Sequence, residues 1–140
     1  MDLDAVIAKY HRAADEFSRG RPDGVKALYS HREDVALANP FGPPASGWEK
    51  VSEALDFASS RFRDGEVTDF ERIALYSGSD LAVLLELEAW QAKVAGSDEL
   101  SPFLLRVTTT FRLEGGDWKM VHRHADPIAT FDAQGPLRGT

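Results

Sequence analysis

Apolar residues recur at Leu3, Val6, Ile7, Tyr10, Ala13, Ala14 and Phe17. This one-sided stripe predicts an amphipathic helix. Asp2 and Asp4 suit its N-terminal end and Gly20 its stop. Pro22 suits the first position of a second, short helix, in which Val25, Leu28 and Tyr29 share a face. VALANP, from Val35, predicts a short strand ending before Pro40, and FGPPASG a turn-rich loop. Ser46 with Glu49 resembles a capping box. Trp48, Val51, Leu55, Ala58 and Phe62 then follow at helical spacing, with Asp64-Gly65 as the expected end of a third helix.

Beyond that point the period changes to two. Strands are expected at about 66–77, 80–94, 102–114 and 117–126, separated by SGSD, AGSDELS and EGGD. Three helices and a short strand followed by a four-stranded meander define an α+β chain. Its helices should pack against one face of a curved, mostly antiparallel sheet. A single domain is expected over 1–128, with 129–140 as a loose C-terminal tail.

The last hairpin can be registered around EGGD. Pairing Leu113 with Trp118 sets Phe111 opposite Met120, Thr109 opposite His122 and Val107 opposite His124. Strict alternation then places His122, His124 and Asp126 on the apolar face, pointing inward. On the preceding strand, turning Leu85, Leu87 and Ala89 inward leaves Glu86, Glu88 and Trp90 outside, near Arg106, Arg112 and Arg123. That outer cluster reads as a cross-strand charge ladder. It also reads as a homodimer interface with Trp90 as anchor. A third reading inverts the faces and makes the charged cluster the site.

Composition narrows the function. The apolar fraction is 43%, ordinary for a globular protein. The chain carries 16 basic and 23 acidic residues, a net charge of −7, which opposes nucleic-acid or anionic-membrane partners. It has no cysteine, so disulfides and thiolate metal sites are excluded. The acidic N-terminus does not read as a signal peptide, and no run is long enough to span a bilayer. A cytoplasmic protein is expected.

Two stretches, LYSHREDVALANPFGPPASGWEKVSEAL and LLRVTTTFRLEGGDWKMVHRHADP, carry a family resemblance. Helices followed by a meander ending in W-x-x-V-H-x-H resemble the nuclear-transport-factor-2-like (NTF2-like) superfamily. Within it the chain is similar to the SnoaL-like, ketosteroid-isomerase-like branch, from about Leu3 to Asp126. The resemblance implies a cone whose curved sheet wraps the helices, a ligand pocket at its open end, and dimerisation through the outer sheet face. It does not carry over the isomerase residues. The position matching the isomerases' aspartate base is Asn39, that of their helix tyrosine is Ala13 (with Tyr10 one turn away), and that of their protonated aspartic acid is Thr109. An amide cannot accept a proton at neutral pH.

Three readings of the site follow. In the first, His122 or His124 acts as acid or base, oriented by Asp126, while Tyr10, Asn39 and Thr109 contact a small, largely apolar organic molecule. An isomerase, cyclase or hydratase without a cofactor would fit. The second is a metal site on His122, His124 and Asp126, for which the sequence shows no fourth protein ligand. The third is a non-catalytic binding or assembly module, with the histidines closing a polar plug. His11 and His31 read as solvated.

Overall fold

The computed structural model describes residues 1–128. The expected tail, 129–140, lies outside the described residues. The elements are α1 (Leu3–Phe17), α2 (Asp23–Leu28), β1 (Ala36–Ala38), β2 (Ala45–Ser46), α3 (Trp48–Ser60), β3 (Phe62–Ser77), β4 (Leu81–Val94), β5 (Leu100–Glu114) and β6 (Asp117–Pro127). They form a curved six-stranded sheet in the order β2-β1-β6-β5-β4-β3, with the helices on its concave side. The strands pair antiparallel except β1 with β6, which are parallel. This is the α+β cone expected from the sequence. No helix among the described residues is long and apolar enough to cross a membrane.

The helix starts differ in detail from the sequence reading. Asp2 caps α1 by accepting from the Ala5 N–H at 2.8 Å. Ser46 does not cap α3. It lies in β2, and Gly47, at φ 88°, takes the cap position without a side-chain bond. Nor does Asp64-Gly65 end α3, which stops at Ser60. These two residues sit inside β3, where the register with β4 shifts between Arg63 and Glu66. A Cβ on Gly65 would lie 2.5 Å from the Ser18 carbonyl oxygen, so only glycine lets α1 and β3 approach there.

The EGGD turn has positive φ at both Gly115 (57°) and Gly116 (88°), as a tight two-residue hairpin loop requires. From it, Leu113 pairs with Trp118 and Phe111 with Met120, as expected. The ladder then breaks. Thr110 pairs with His122, Thr109 with Arg123 and Thr108 with His124, so Val121 is an extra residue on β6. This β-bulge reverses the alternation for the rest of the strand. Arg123 and Ala125 turn inward; His122, His124 and Asp126 share the outer face with Thr110, Thr108 and Arg106.

The strand β4 also faces opposite to the sequence reading. Ala82, Leu84, Glu86, Glu88, Trp90 and Ala92 are buried, and Leu85, Leu87 and Ala89 lie on the outer face, half-buried. The pairing explains the choice: Trp90 lies beside Phe103, Glu88 beside Leu105 and Glu86 beside Val107, all in the concave layer. Of the six residues expected at an outer interface, Glu86, Glu88, Trp90 and Arg123 are therefore interior, and Arg106 and Arg112 remain outside.

Candidate functional site

Between α1, α3 and the concave sheet face lies a cavity of about 210 Å³. Aromatic side chains dominate its wall: Phe17 from α1, Phe41 from the loop after β1, Phe62 from β3, Trp90 from β4 and Phe103 from β5. They interlock, with Phe62 stacked on Phe103 at 5.9 Å between centroids and Phe17 edge-on to Trp90 at 6.5 Å. Exposed Pro40 and Pro127 line it too, so the cavity reaches the surface at that end. Only Tyr10, Asn39 and Arg123 bring polar side chains to it among the described residues.

Those polar groups belong to one buried network. Arg123 donates through Nε to the Tyr10 hydroxyl at 3.0 Å and through Nη2 to Glu88 Oε1 at 3.0 Å. Trp90 Nε1 donates to the same Glu88 oxygen at 2.9 Å. The Tyr10 hydroxyl donates to Glu88 Oε2. Glu88 is wholly buried, Tyr10 is 1% exposed, and the Arg123 side chain is 12% exposed. A carboxylate taking three donors, one of them cationic, satisfies the requirement that a buried charge be paired and hydrogen-bonded. Burial pushes the Tyr10 phenol far above its ordinary range, so it stays a neutral donor. Burial pulls Arg123 down, but Tyr10 and Glu88 more than offset this and hold it above its usual value.

Local structure sets each group. Tyr10 lies on the buried stripe of α1, one turn from Ala14 and two from Phe17. Glu88 and Trp90 occupy alternate inward positions of β4. Arg123 faces inward because of the Val121 bulge. Asn39 folds its side chain back in the tight loop, its Oδ1 accepting from the Phe41 N–H at 3.0 Å.

A second buried carboxylate lies beside this network. Glu86, 2% exposed, is held by His11 Nε2, at 3.0 Å from Oε1 and 2.9 Å from Oε2. The His11 ring stacks on Phe70 at 3.8 Å. His11 is thus a half-buried partner of Glu86 and not the solvated surface residue expected. His31 is exposed, as expected, and stacks on Trp48 at 3.9 Å.

Of the residues singled out in the sequence, Tyr10 and Asn39 line the cavity. Thr109 faces inward and is buried but is not among the lining residues. His122, His124 and Asp126 are placed outside it, on the convex face. His124 Nε2 meets Asp126 Oδ2 at 3.0 Å with about half of each side chain in solvent. The His122 and His124 rings lie 6.4 Å apart, and His122 Nδ1 is buried without a partner. The inward orientation expected for all three fails because the bulge adds one residue before them. Among the described residues no group of three or more His, Asp or Glu is arranged to hold a metal ion.

Arg123, Glu88 and Trp90 were assigned by the sequence reading to the wrong side of the sheet. One available signal was the inward alternation of β5. Phe103, Leu105, Val107 and Phe111 leave no doubt about its core face, and registering β4 on it brings Glu88 and Trp90 inside.

A cone of three helices enclosed by a six-stranded sheet, with an aromatic cavity at one end, defines the NTF2-like class. The chain belongs to the SnoaL-like domain family, whose model matches residues 3–130. Solved structures of the same fold include an NTF2-like superfamily protein from Salmonella enterica serovar Typhimurium, 17% identical, with a TM-score of 0.77 over 97% of this chain and 93% of that one. A ketosteroid isomerase-like protein from Erwinia carotovora is 18% identical, with a TM-score of 0.75 over 91% and 95%. An NTF2-like protein of unknown function from Pseudomonas putida is 20% identical, with a TM-score of 0.68 over 94% and 88%. Comparison with curated proteins finds no match.

Proposed function

We propose that this protein binds a small, largely apolar organic molecule in the cone cavity, its polar end at Tyr10, Asn39 and Arg123. The observation that carries this reading is the composition of the wall: an aromatic box with three polar side chains gathered from α1, the loop after β1 and β6. An apolar pocket with a few convergent polar groups is the usual form of a small-molecule site. The residues of the wall favour binding over acid–base turnover. Among those described, none is a carboxylate or an imidazole, and the Glu88 carboxylate behind it is already occupied by three donors. The ketosteroid isomerase-like neighbour shares the fold. At Asn39 and Ala13 this chain has neither the base nor the phenol that the isomerase mechanism needs.

The test is mass spectrometry of molecules retained on native purification, for the wild type and for Ala58→Phe. Ala58 lines the cavity from α3, and phenylalanine there adds an aromatic ring at its wall. The wild type should retain an organic molecule that the variant, folded by circular dichroism, has lost. Equal retention by both proteins would sink the reading.

We also infer that the outer sheet face pairs two copies of the chain. It presents Val83, Leu85, Leu87 and Leu104, which no other element among the described residues covers, flanked by Asp69 and Glu71 on β3 and by Arg106 on β5. Such a face is apolar in the middle and opposite in charge at its sides, which suits a second copy turned by a two-fold axis.

A further inference from the structure

The cavity offers donors. Asn39, which lines the cavity, commits its Oδ1 to the Phe41 N–H, so the group it has left to offer a ligand is the amide NH₂. Arg123 commits Nε to Tyr10 and Nη2 to Glu88. Its Nη1 has no partner among the described residues. Arg123 is among the residues that line the cavity. The Tyr10 hydroxyl already donates to Glu88 and accepts from Arg123. A ligand completing this site must therefore bring an acceptor oxygen.

A carbonyl and a carboxylate both supply one, and the charge balance behind the wall decides between them. The guanidinium of Arg123 is already matched by Glu88, which is wholly buried and takes its donors from Arg123, Trp90 and Tyr10. The pair contributes no net charge. Two positions along the same face sits a second buried carboxylate, Glu86. A carboxylate ligand would bring an uncompensated negative charge into an apolar box, which costs far more than one hydrogen bond returns. A neutral carbonyl or ether oxygen carries no such cost.

We propose that Glu88, from behind the cavity wall, sets the charge selectivity of the site: by neutralising Arg123 it makes the cavity accept uncharged carbonyl-type ligands and reject carboxylates of the same skeleton. This rests on the cavity being a ligand site, as proposed above. Glu88 is a specificity-determining residue that does not itself touch the ligand.

The test uses three matched probe pairs at neutral pH: phenyl, naphthyl and cyclohexyl methyl ketones, each against the carboxylate of the same ring. Affinities are measured by calorimetry or by competition for tryptophan fluorescence. The wild type should bind at least one ketone roughly tenfold or more tightly than its matched carboxylate. Glu88→Gln keeps the side chain's size and one acceptor oxygen, leaves Arg123 unmatched, and should reverse that order. A wild type that binds the carboxylates as well as the ketones overturns the proposal without any variant. A folded Glu88→Gln protein that keeps the wild-type order overturns it as well. Failure of every probe to bind the wild type, together with no retained molecule, overturns the cavity reading itself and this inference with it.

Discussion

Arg123 Nη2 and Glu88 Oε1 meet at 3.0 Å inside the cone, joining β6 to β4 across β5. Removing one partner leaves the other charged in an apolar layer. Arg123→Met should therefore destabilise the fold by about 3–5 kcal/mol. The double variant Arg123→Met with Glu88→Gln should recover much of that, since a neutral pair of similar volume carries no stranded charge. Urea unfolding of the three proteins measures both effects. Equal stability of the single and double variants would show that the pair's charge is not what matters.

His11 and Glu86 form a second such relationship, nearer the β3 edge. Glu86 is almost wholly buried, and His11 is its hydrogen-bond partner. His11→Ala should cost roughly 1–3 kcal/mol, the penalty of leaving a buried acceptor unmatched. Adding Glu86→Leu should restore part of it. Chemical denaturation of the single and double variants checks this. A single variant as stable as the wild type would mean that water replaces the imidazole without cost.

These two pairs also mark where the sequence was readable and where it was not. Helix α1 was legible because Val6, Ile7, Tyr10, Ala13 and Phe17 repeat at helical spacing and pack on one side. The β5–β6 hairpin was legible as far as Phe111 and Met120 because the Gly115-Gly116 turn fixes its start. The faces of His122, Arg123 and His124 were not, because one inserted residue reverses them and nothing in Met120-Val121-His122 announces it. The cause is distant in sequence. At Met120 the other edge of β6 meets Tyr29 and the Ser30 N–H, and at His122 it meets Ala36 of β1. The bulge falls where that neighbour changes. Glu88 was misplaced for a related reason: alternation alone assigns a carboxylate to solvent, and the cation that matches it inside, Arg123, is turned inward only by the bulge.

The buried tyrosines predict an alkaline limit to stability. Burial raises the phenols of both Tyr10 and Tyr29 in the folded state. In the unfolded chain they ionise near the ordinary value of about 10. The native state therefore holds protons that the unfolded state releases. Its stability is fully present below pH ~10 and is lost as pH rises above that value. On rapid transfer to high pH, two of the three tyrosines should show phenolate absorbance only as the protein unfolds. Immediate ionisation of all three, with the fold intact, would contradict the burial of Tyr10 and Tyr29.

The proposed dimer makes a prediction from register. Across the outer face, Glu71 of β3, Leu87 of β4, Arg106 of β5 and Asp126 of β6 form one row. A two-fold axis running along the strands near Leu87 reverses this row in the second copy, so that Glu71 of each faces Arg106 of the other. Leu87→Asp puts a charge in the apolar middle and should yield a folded monomer by sedimentation velocity. Glu71→Arg sets like charges opposite each other and should weaken association. Adding Arg106→Glu to it should restore the dimer, because the row is again complementary under the same rotation. A wild type that sediments as a monomer at micromolar concentration refutes the interface. A dimer indifferent to Leu87→Asp moves the contact to another face of the cone.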